Sequence, residues 1–172
     1  SHFLWLLTYF LKFASQLEIG LDQLGSIISF RILSYITYQG VELLETLEVA
    51  NRERSASISG HLRRMHLVVT ALREFIQTIV NYGETKSLTL SDKQHLRHLQ
   101  KQSVHATDIR QLLVLLLRSF NPQIQSMQYL SDLVVCNHML LLTLESVTHR
   151  DNPIEGVELD MSQHMSQVFP LA

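Results

Sequence analysis

The stretch SHFLWLLTYFLKFASQLE, Ser1 to Glu18, decides the fold class. A run this apolar admits three readings: a secretory signal, a membrane span or a core helix. A signal peptide carries a basic region ahead of its apolar run and a small-residue cleavage site behind it. Here no Lys or Arg precedes the run, and Lys12 sits inside it. A membrane span needs about 20 predominantly apolar residues. The segment from Phe3 to Leu17 is shorter and is interrupted by Thr8, Lys12, Ser15 and Gln16. Phe3, Leu6, Phe10, Phe13 and Leu17 recur at steps of 3, 4, 3 and 4, one face of an α-helix. Trp5, Leu7, Tyr9 and Leu11 widen the apolar surface, which predicts a core helix buried on several sides, with Ser1 as its N-cap. A core helix at residue 1 and the apolar ending QVFPLA read as the limits of a piece from a longer chain.

Outward from that helix, composition points the same way. The 172 residues are 46% hydrophobic, with only 6 Gly and 3 Pro, which favours long helices over a turn-rich β fold. The single cysteine, Cys136, leaves no intramolecular disulfide framework or thiolate-cluster metal site. Its apolar setting, LVVCNHML, predicts a buried, inert thiol in a reducing compartment, cytosol or nucleus. Net charge is −2 but uneven. Residues 61–120 hold nine Lys/Arg against four Asp/Glu, and residues 121–172 hold one against six. That asymmetry fits contact between segments or two faces for two partners, and is too modest to imply nucleic-acid binding.

Seven helical segments are expected. The first ends near Glu18, and a short one, Asp22 to Ile28, is weakened by Gly25. A third, capped by Ser29, covers Phe30 to Arg52 with a stripe of Leu33, Ile36, Gly40, Leu43 and Leu47. A Gly on that stripe costs about 1 kcal/mol against Ala, which favours close approach of a neighbouring helix over a simple kink. Residues 51–60 read as a polar loop. The fourth helix, His61 to Asn81, presents Leu62, Met65, Val69, Leu72, Ile76 and Ile79, and Gly83 is placed to end it as a left-handed C-cap. Ser91 is expected to cap one long helix from Asp92 to Ser119, with a solvated first half and a buried second half (IRQLLVLLLRSF), ended by Asn121-Pro122. Ser126 caps the sixth, Met127 to Thr148, which falls short of a membrane span. A loop at 151–156 and a short helix near Ser162 follow. Long helices joined by short polar loops mean an all-α fold, with residues 1–149 as a helical core and 150–172 leading toward further layers. The pattern alone fits either a superhelix or a large bundle.

The nine His residues were weighed as metal ligands. Asp92, His95 and His98 share a helix face, as a zinc site requires, but no second-shell partner is evident and Lys101 follows on the same face. A solvated polar face is the favoured reading. His61 and His66 diverge by about 140° around their helix. His138, in an apolar run, reads as a hydrogen-bonded core group, with Asn137 helping to satisfy a polar interior. No Gly-rich phosphate loop or nucleophile elbow occurs, so no catalytic residue, cofactor or metal site is expected. Arg63, Arg64 and Arg73 make the fourth helix a candidate contact element. They read either as a partner surface or as snorkelling arginines tied to carboxylates such as Glu74. The helix offers only Phe75 and Tyr82 for base stacking, so it is not a nucleic-acid patch.

SHFLWLLTYFLKFASQLE, SYITYQGVELLETLE, LRRMHLVVTALREFIQTI and LLVLLLRSFNPQIQSMQYLSDLVVCNHMLLL together resemble the Timeless family, in the same order and at similar spacing from Ser1 to about Leu144. They are most similar to its insect circadian-clock branch rather than to the replication-fork paralogue. The resemblance is weakest at 51–60, at 83–91 and after Thr148. It implies an armadillo/HEAT-like superhelix, an α-solenoid, of which this segment is the second part, following a basic, disordered nuclear-import region that would engage an import receptor outside this chain. It further implies a non-enzymatic partner of Period that shuttles between cytoplasm and nucleus. That complex represses the Clock–Cycle activator, and light-activated cryptochrome targets the family member for degradation. The paralogue branch would instead bind a Tipin-like partner at stalled forks. No membrane or direct nucleic-acid contact is implied. The matches at Arg63 to Leu67 and at Leu133 to His138 carry apolar residues on a packing stripe with polar groups at its edge.

Overall fold

The computed structural model describes residues 2–17, 19–52, 58–85 and 88–151. Among the described residues seven helices follow in order: α1 His2–Gln16, α2 Leu21–Leu24, α3 Phe30–Arg52, α4 Ile58–Glu84, α5 Leu90–His105, α6 Thr107–Arg118 and α7 Met127–Asp151. No strand occurs among the described residues, so the fold is all-α. The expected cap at Ser1, residues 53–57 of the expected loop, and the short helix near Ser162 lie outside the described residues.

α4 organises the packing. It lies against α1, α3, α5 and α7. Its buried positions extend beyond the expected stripe to Val68, Ala71, Phe75, Thr78 and Tyr82, so it is wrapped on more than one side. The Tyr82 hydroxyl donates to the carbonyl of Ile19, tying α4 to the turn after α1. α3 approaches closely at Gly40. A Cβ there would lie 2.6 Å from Leu112 Cδ2 and 3.2 Å from Val68 Cγ1, so the glycine lets α3 sit against both α4 and α6. This is the close approach expected from the sequence.

Several expectations are corrected. α1 buries Leu4, Leu7, Leu11 and Ala14, one residue on from the expected stripe, and its wider surface is uncovered. The residues facing α4 are compact aliphatics, and the aromatics at the expected positions stand at the rim. α2 is a single turn, with Gly25 in a right-handed conformation after it. Gly83 lies within α4 and its backbone is not left-handed; a Cβ there would meet Gln100 Nε2 at 3.1 Å, so its role is the approach of α5. The expected long helix from Asp92 to Ser119 is two. Ala106 is extended (φ −67°, ψ 105°) and the chain restarts at Thr107-Asp108, which places an acidic residue in the first turn of α6. Thr89, not Ser91, caps α5: its hydroxyl accepts from Asp92 N at 3.2 Å. The solvated half buries Leu96, Leu99, Gln100 and Ser103 on one face.

α7 starts as expected, with Tyr129 N donating to Ser126 Oγ at 3.1 Å. Its segment Met127–Arg150 is, by length and composition, long and apolar enough to cross a membrane, contrary to the sequence reading of its length. Here it packs against α4, α5 and α6 through a face that includes Tyr129, Leu133, Cys136 and Met139. Val134, Val135, Leu141 and Leu142 are exposed, as are Val114 and Leu115 on α6. His138 is exposed and is not a core group, and Asn137 spends its amide on the carbonyl of Leu133 in its own helix (2.9 Å).

Candidate functional site

The largest departure from an ordinary globular surface is on α1. Trp5 and Tyr9 are each 60% exposed, Leu6 57%. Spacing of four residues stacks the rings along the helix, Trp5 on Tyr9 at 5.9 Å and Tyr9 on Phe13 at 6.0 Å between centroids. Separately, Phe3 on another side of α1 meets Tyr35 of α3 edge-on at 5.5 Å. One turn on, Tyr38 and Val41 wall a mainly apolar groove of 340 Å³ against Leu112 and Leu115 of α6. Contiguous exposed apolar surface of this kind marks contact with another protein segment. Periodicity did not find it, because a helix apolar on most of its circumference gives the same signal for a covered and an uncovered face.

The three candidate arginines of α4 divide. Arg73 enters the seam with α7. It donates through Nη1 to Asp132 Oδ1 and through Nη2 to Glu74 Oε1. Asp132 is buried and also accepts from Gln128 Nε2 at 2.8 Å and Thr70 Oγ1 at 3.2 Å, with His66 Nε2 at 3.2 Å. Burial alone would lower the Arg73 pKa, but the hydrogen bond to Glu74 and the charges of Asp132 and Glu74 outweigh it and hold it raised. Arg73 thus takes the carboxylate-bound arrangement that was one of its two sequence readings. Arg63 and Arg64 are exposed.

Arg63 borders a cleft of 240 Å³ shared with Leu62, His66, Gln125, Ser126 and Tyr129. The ring of Tyr129 is clamped edge-on by His66 (5.6 Å) and stacked on Phe120 (6.4 Å). Its hydroxyl is buried without a hydrogen-bond partner. Burial pushes that phenol up to about 12, a rise that the nearby Gln125, short of hydrogen-bond geometry, offsets only in part. A buried donor without an acceptor is costly. Sequence gave no sign of this cleft, since Tyr129 and Arg63 are 66 residues apart.

No group of three or more His, Cys, Asp or Glu side chains that could hold a metal comes together among the described residues. Asp92 is engaged by the Thr89 hydroxyl at 2.7 Å, while His95 Nε2 lies 3.4 Å from the carbonyl of Ile28. Cys136 is buried, and desolvation raises its thiol to about 12, with Arg73 pulling it down and Asp132 pushing it up. That protonated thiol is a packing group, as its apolar surroundings predicted.

No family model matches the chain. Among curated proteins, it is 55% identical over 172 residues to Protein timeless of Drosophila melanogaster, covering 99% of this chain and 12% of that protein. Identity to Protein timeless of Drosophila hydei is 48% over 171 residues, 99% of this chain and 25% of that protein. Protein timeless homolog of Homo sapiens is more distant, 23% identical over 145 residues, 84% of this chain and 12% of that protein. The chain therefore spans 12% to 25% of the lengths of these relatives. Over that segment, the chain belongs to the Timeless family.

Proposed function

We propose that this chain is a section of a non-enzymatic circadian-clock scaffold that works by holding other proteins. Period is its first partner and light-activated cryptochrome its second. In this reading its helices are layers of an armadillo/HEAT-like superhelix. The whole protein stabilises Period, enters the nucleus with it to repress the Clock–Cycle activator, and shuttles between cytoplasm and nucleus. Neither a membrane nor direct contact with nucleic acid has a part in it.

The observation that carries the scaffold reading is the exposed aromatic ladder of Trp5, Tyr9 and Phe13 on α1. Aromatic anchors of this type dominate the energetics of protein interfaces. The higher identity to the two fly Timeless proteins than to the human homologue favours the clock branch over fork protection. Arg63 and Arg64, both exposed on α4, supply charged contacts, Arg63 beside the Tyr129 cleft. Arg73 contributes by fixing the α4–α7 seam.

The test is co-purification of the chain with purified Period, with cryptochrome in light and dark, and with a Tipin-like protein. Period should be retained, and cryptochrome should be retained in light. Trp5→Ser with Tyr9→Ser, and separately Arg63→Glu with Arg64→Glu, should each weaken retention while far-UV circular dichroism is unchanged. Capture of the Tipin-like protein without Period would assign the fork-protection role instead. Undiminished retention by the Arg63→Glu, Arg64→Glu chain would remove those two residues from the contact.

A further inference from the structure

α5 and the C-terminal half of α7 pack together and leave a cleft of 440 Å³ between them. Lys93 and Arg97, four residues apart on α5, share one face of that helix. Arg150 reaches the same cleft from α7. A second hollow of 410 Å³ adjoins it, lined by Arg97 and Arg150 again, with His98 and Lys101. The two guanidinium groups therefore border both hollows. Glu84 is the one carboxylate lining either of them among the described residues.

Arg150 is anchored by neutral groups. Its Nη1 donates to Gln100 Oε1 at 3.1 Å and its Nη2 to Ser146 Oγ. Gln100 is itself buried, so the guanidinium is positioned across the α5–α7 interface, with no carboxylate of the described residues paired to it. Among the described residues no carboxylate pairs with Lys93, Arg97 or Arg150. Like charges four apart on a helix repel by a few tenths of a kcal/mol, and three cations around one concavity add to that. An anion entering the cleft removes the repulsion.

We propose that this cleft binds a phosphorylated serine or threonine within an acidic segment of a partner protein. A phosphoryl group carries about −1.5 to −2 charges and three acceptor oxygens, enough to offset the charge of Lys93, Arg97 and Arg150 together with the opposing charge of Glu84. A carboxylate offers one charge and two oxygens and leaves most of the excess unneutralised. Leu96 and Leu142 line the cleft and provide apolar footing for the residues flanking the phosphate. Among the described residues the lining contains no Phe, Tyr or Trp, which argues against single-stranded nucleic acid, where bases stack on aromatic rings. This site is distinct from the aromatic face on α1 and does not depend on the identity of the clock partners.

The test is fluorescence anisotropy of the 172-residue chain with a labelled pool of nonapeptides, each with a central phosphoserine flanked by degenerate Asp- and Glu-rich positions. The dephosphorylated pool, inorganic phosphate and a single-stranded RNA oligonucleotide serve as comparison probes. The phosphorylated pool should bind at least tenfold more tightly than the dephosphorylated pool. Arg97→Glu and Arg150→Glu should each weaken it at least tenfold without changing the far-UV spectrum or thermal midpoint by more than a few degrees, and Arg31→Glu on α3 should have no effect. Equal binding of the two pools, insensitivity to Arg97→Glu and Arg150→Glu, or inorganic phosphate binding as tightly as the phosphopeptides would overturn the proposal. So would tight RNA binding lost in the same variants without phosphopeptide binding.

Discussion

Asp132→Ala tests the physical logic of the α4–α7 seam. The carboxylate side chain is only 4% exposed, yet it carries a charge and gathers Arg73, His66, Thr70 and Gln128. Removing one partner of a buried ion pair costs about 3–5 kcal/mol, because the other charge is left uncompensated. Two features place this pair at the lower end. The Arg73 side chain keeps 24% exposure and retains Glu74, and His66, with 32% of its side chain exposed, can turn to water. The expected loss is therefore about 3 kcal/mol, set against total stabilities of about 5–15 kcal/mol. At about 2–4 °C per kcal/mol for a chain of this size, the thermal midpoint should fall by about 6–12 °C. Urea denaturation followed by far-UV circular dichroism measures the loss directly; Trp5 is a poor reporter because it is exposed. Arg73→Ala should also destabilise, and the double variant should lose less than the sum by about 1–3 kcal/mol, since both changes remove the same contact. A loss below 1 kcal/mol for Asp132→Ala, or strict additivity with Arg73→Ala, would refute the account of this network as the clamp between α4 and α7.

Gly40→Ala gains about 1 kcal/mol of helix propensity but drives a methyl against the buried Leu112 and the stiff Val68, where overpacking costs about 1–3 kcal/mol. Net destabilisation of up to about 2 kcal/mol should appear in thermal melts, and Gly40→Val should exceed it. Gly60→Ala, whose Cβ meets nothing within 4 Å, should stabilise by about 0.5–1 kcal/mol, and a Gly40→Val chain as stable as the parent would contradict the close approach. Cys136 should resist thiol-specific reagents at neutral pH until the chain unfolds. The folded thiol is raised from 9.0 to about 12 and keeps its proton while the unfolded chain releases it. Its contribution to stability is thus complete below pH 9.0 and declines as pH rises from there toward about 12. Tyr129, raised from 10.0 to about 12, adds a loss of the same sign above pH 10.0. Thermal midpoints between pH 8 and 11 should fall with pH, less steeply in Cys136→Ala, and an identical slope in that variant would remove the thiol from the linkage.

How much of this was legible in the sequence follows from what each signal measures. Spacing reports that a helix exists; it does not report which of several apolar faces is covered. α3 and α4 carry polar residues opposite their stripes, so Leu33, Ile36, Met65, Val69, Leu72, Ile76 and Ile79 are buried as expected, while Leu43, Leu47 and Leu62 are half-buried and the cover on α4 extends past its stripe. α1 has apolar residues nearly all round, so spacing leaves its phase undetermined and does not separate its rim aromatics from its core. The break at Ala106 was hidden because Val104 and Ile109 continue an apolar rhythm across it. Thr107-Asp108, a common way to open a helix, was the available sign. Gly40 was readable because a glycine on a buried stripe has few other physical reasons. The Asp132 network was not, because its members lie about 60 residues apart and only folding brings α4 and α7 together.

The two surfaces described here obey different physics, and that difference bears on how a helical scaffold can serve several partners. The α1–α3 face offers rings already stacked on one another, so little side-chain entropy remains to be lost when a partner covers them. Its contribution comes from removing apolar area from water, which depends weakly on salt and on the covalent state of the partner. The α5–α7 cleft adds held positive charge to its apolar lining, so its occupancy depends on the partner carrying enough negative charge at one point. A surface of the first kind gives constant association. A surface of the second kind gives association that a kinase or phosphatase can switch. α4 lies against both α1 and α5, so the clamp at Asp132 and the close approach at Gly40 hold the two surfaces on one framework, and loosening either contact should disturb constant and switchable binding together.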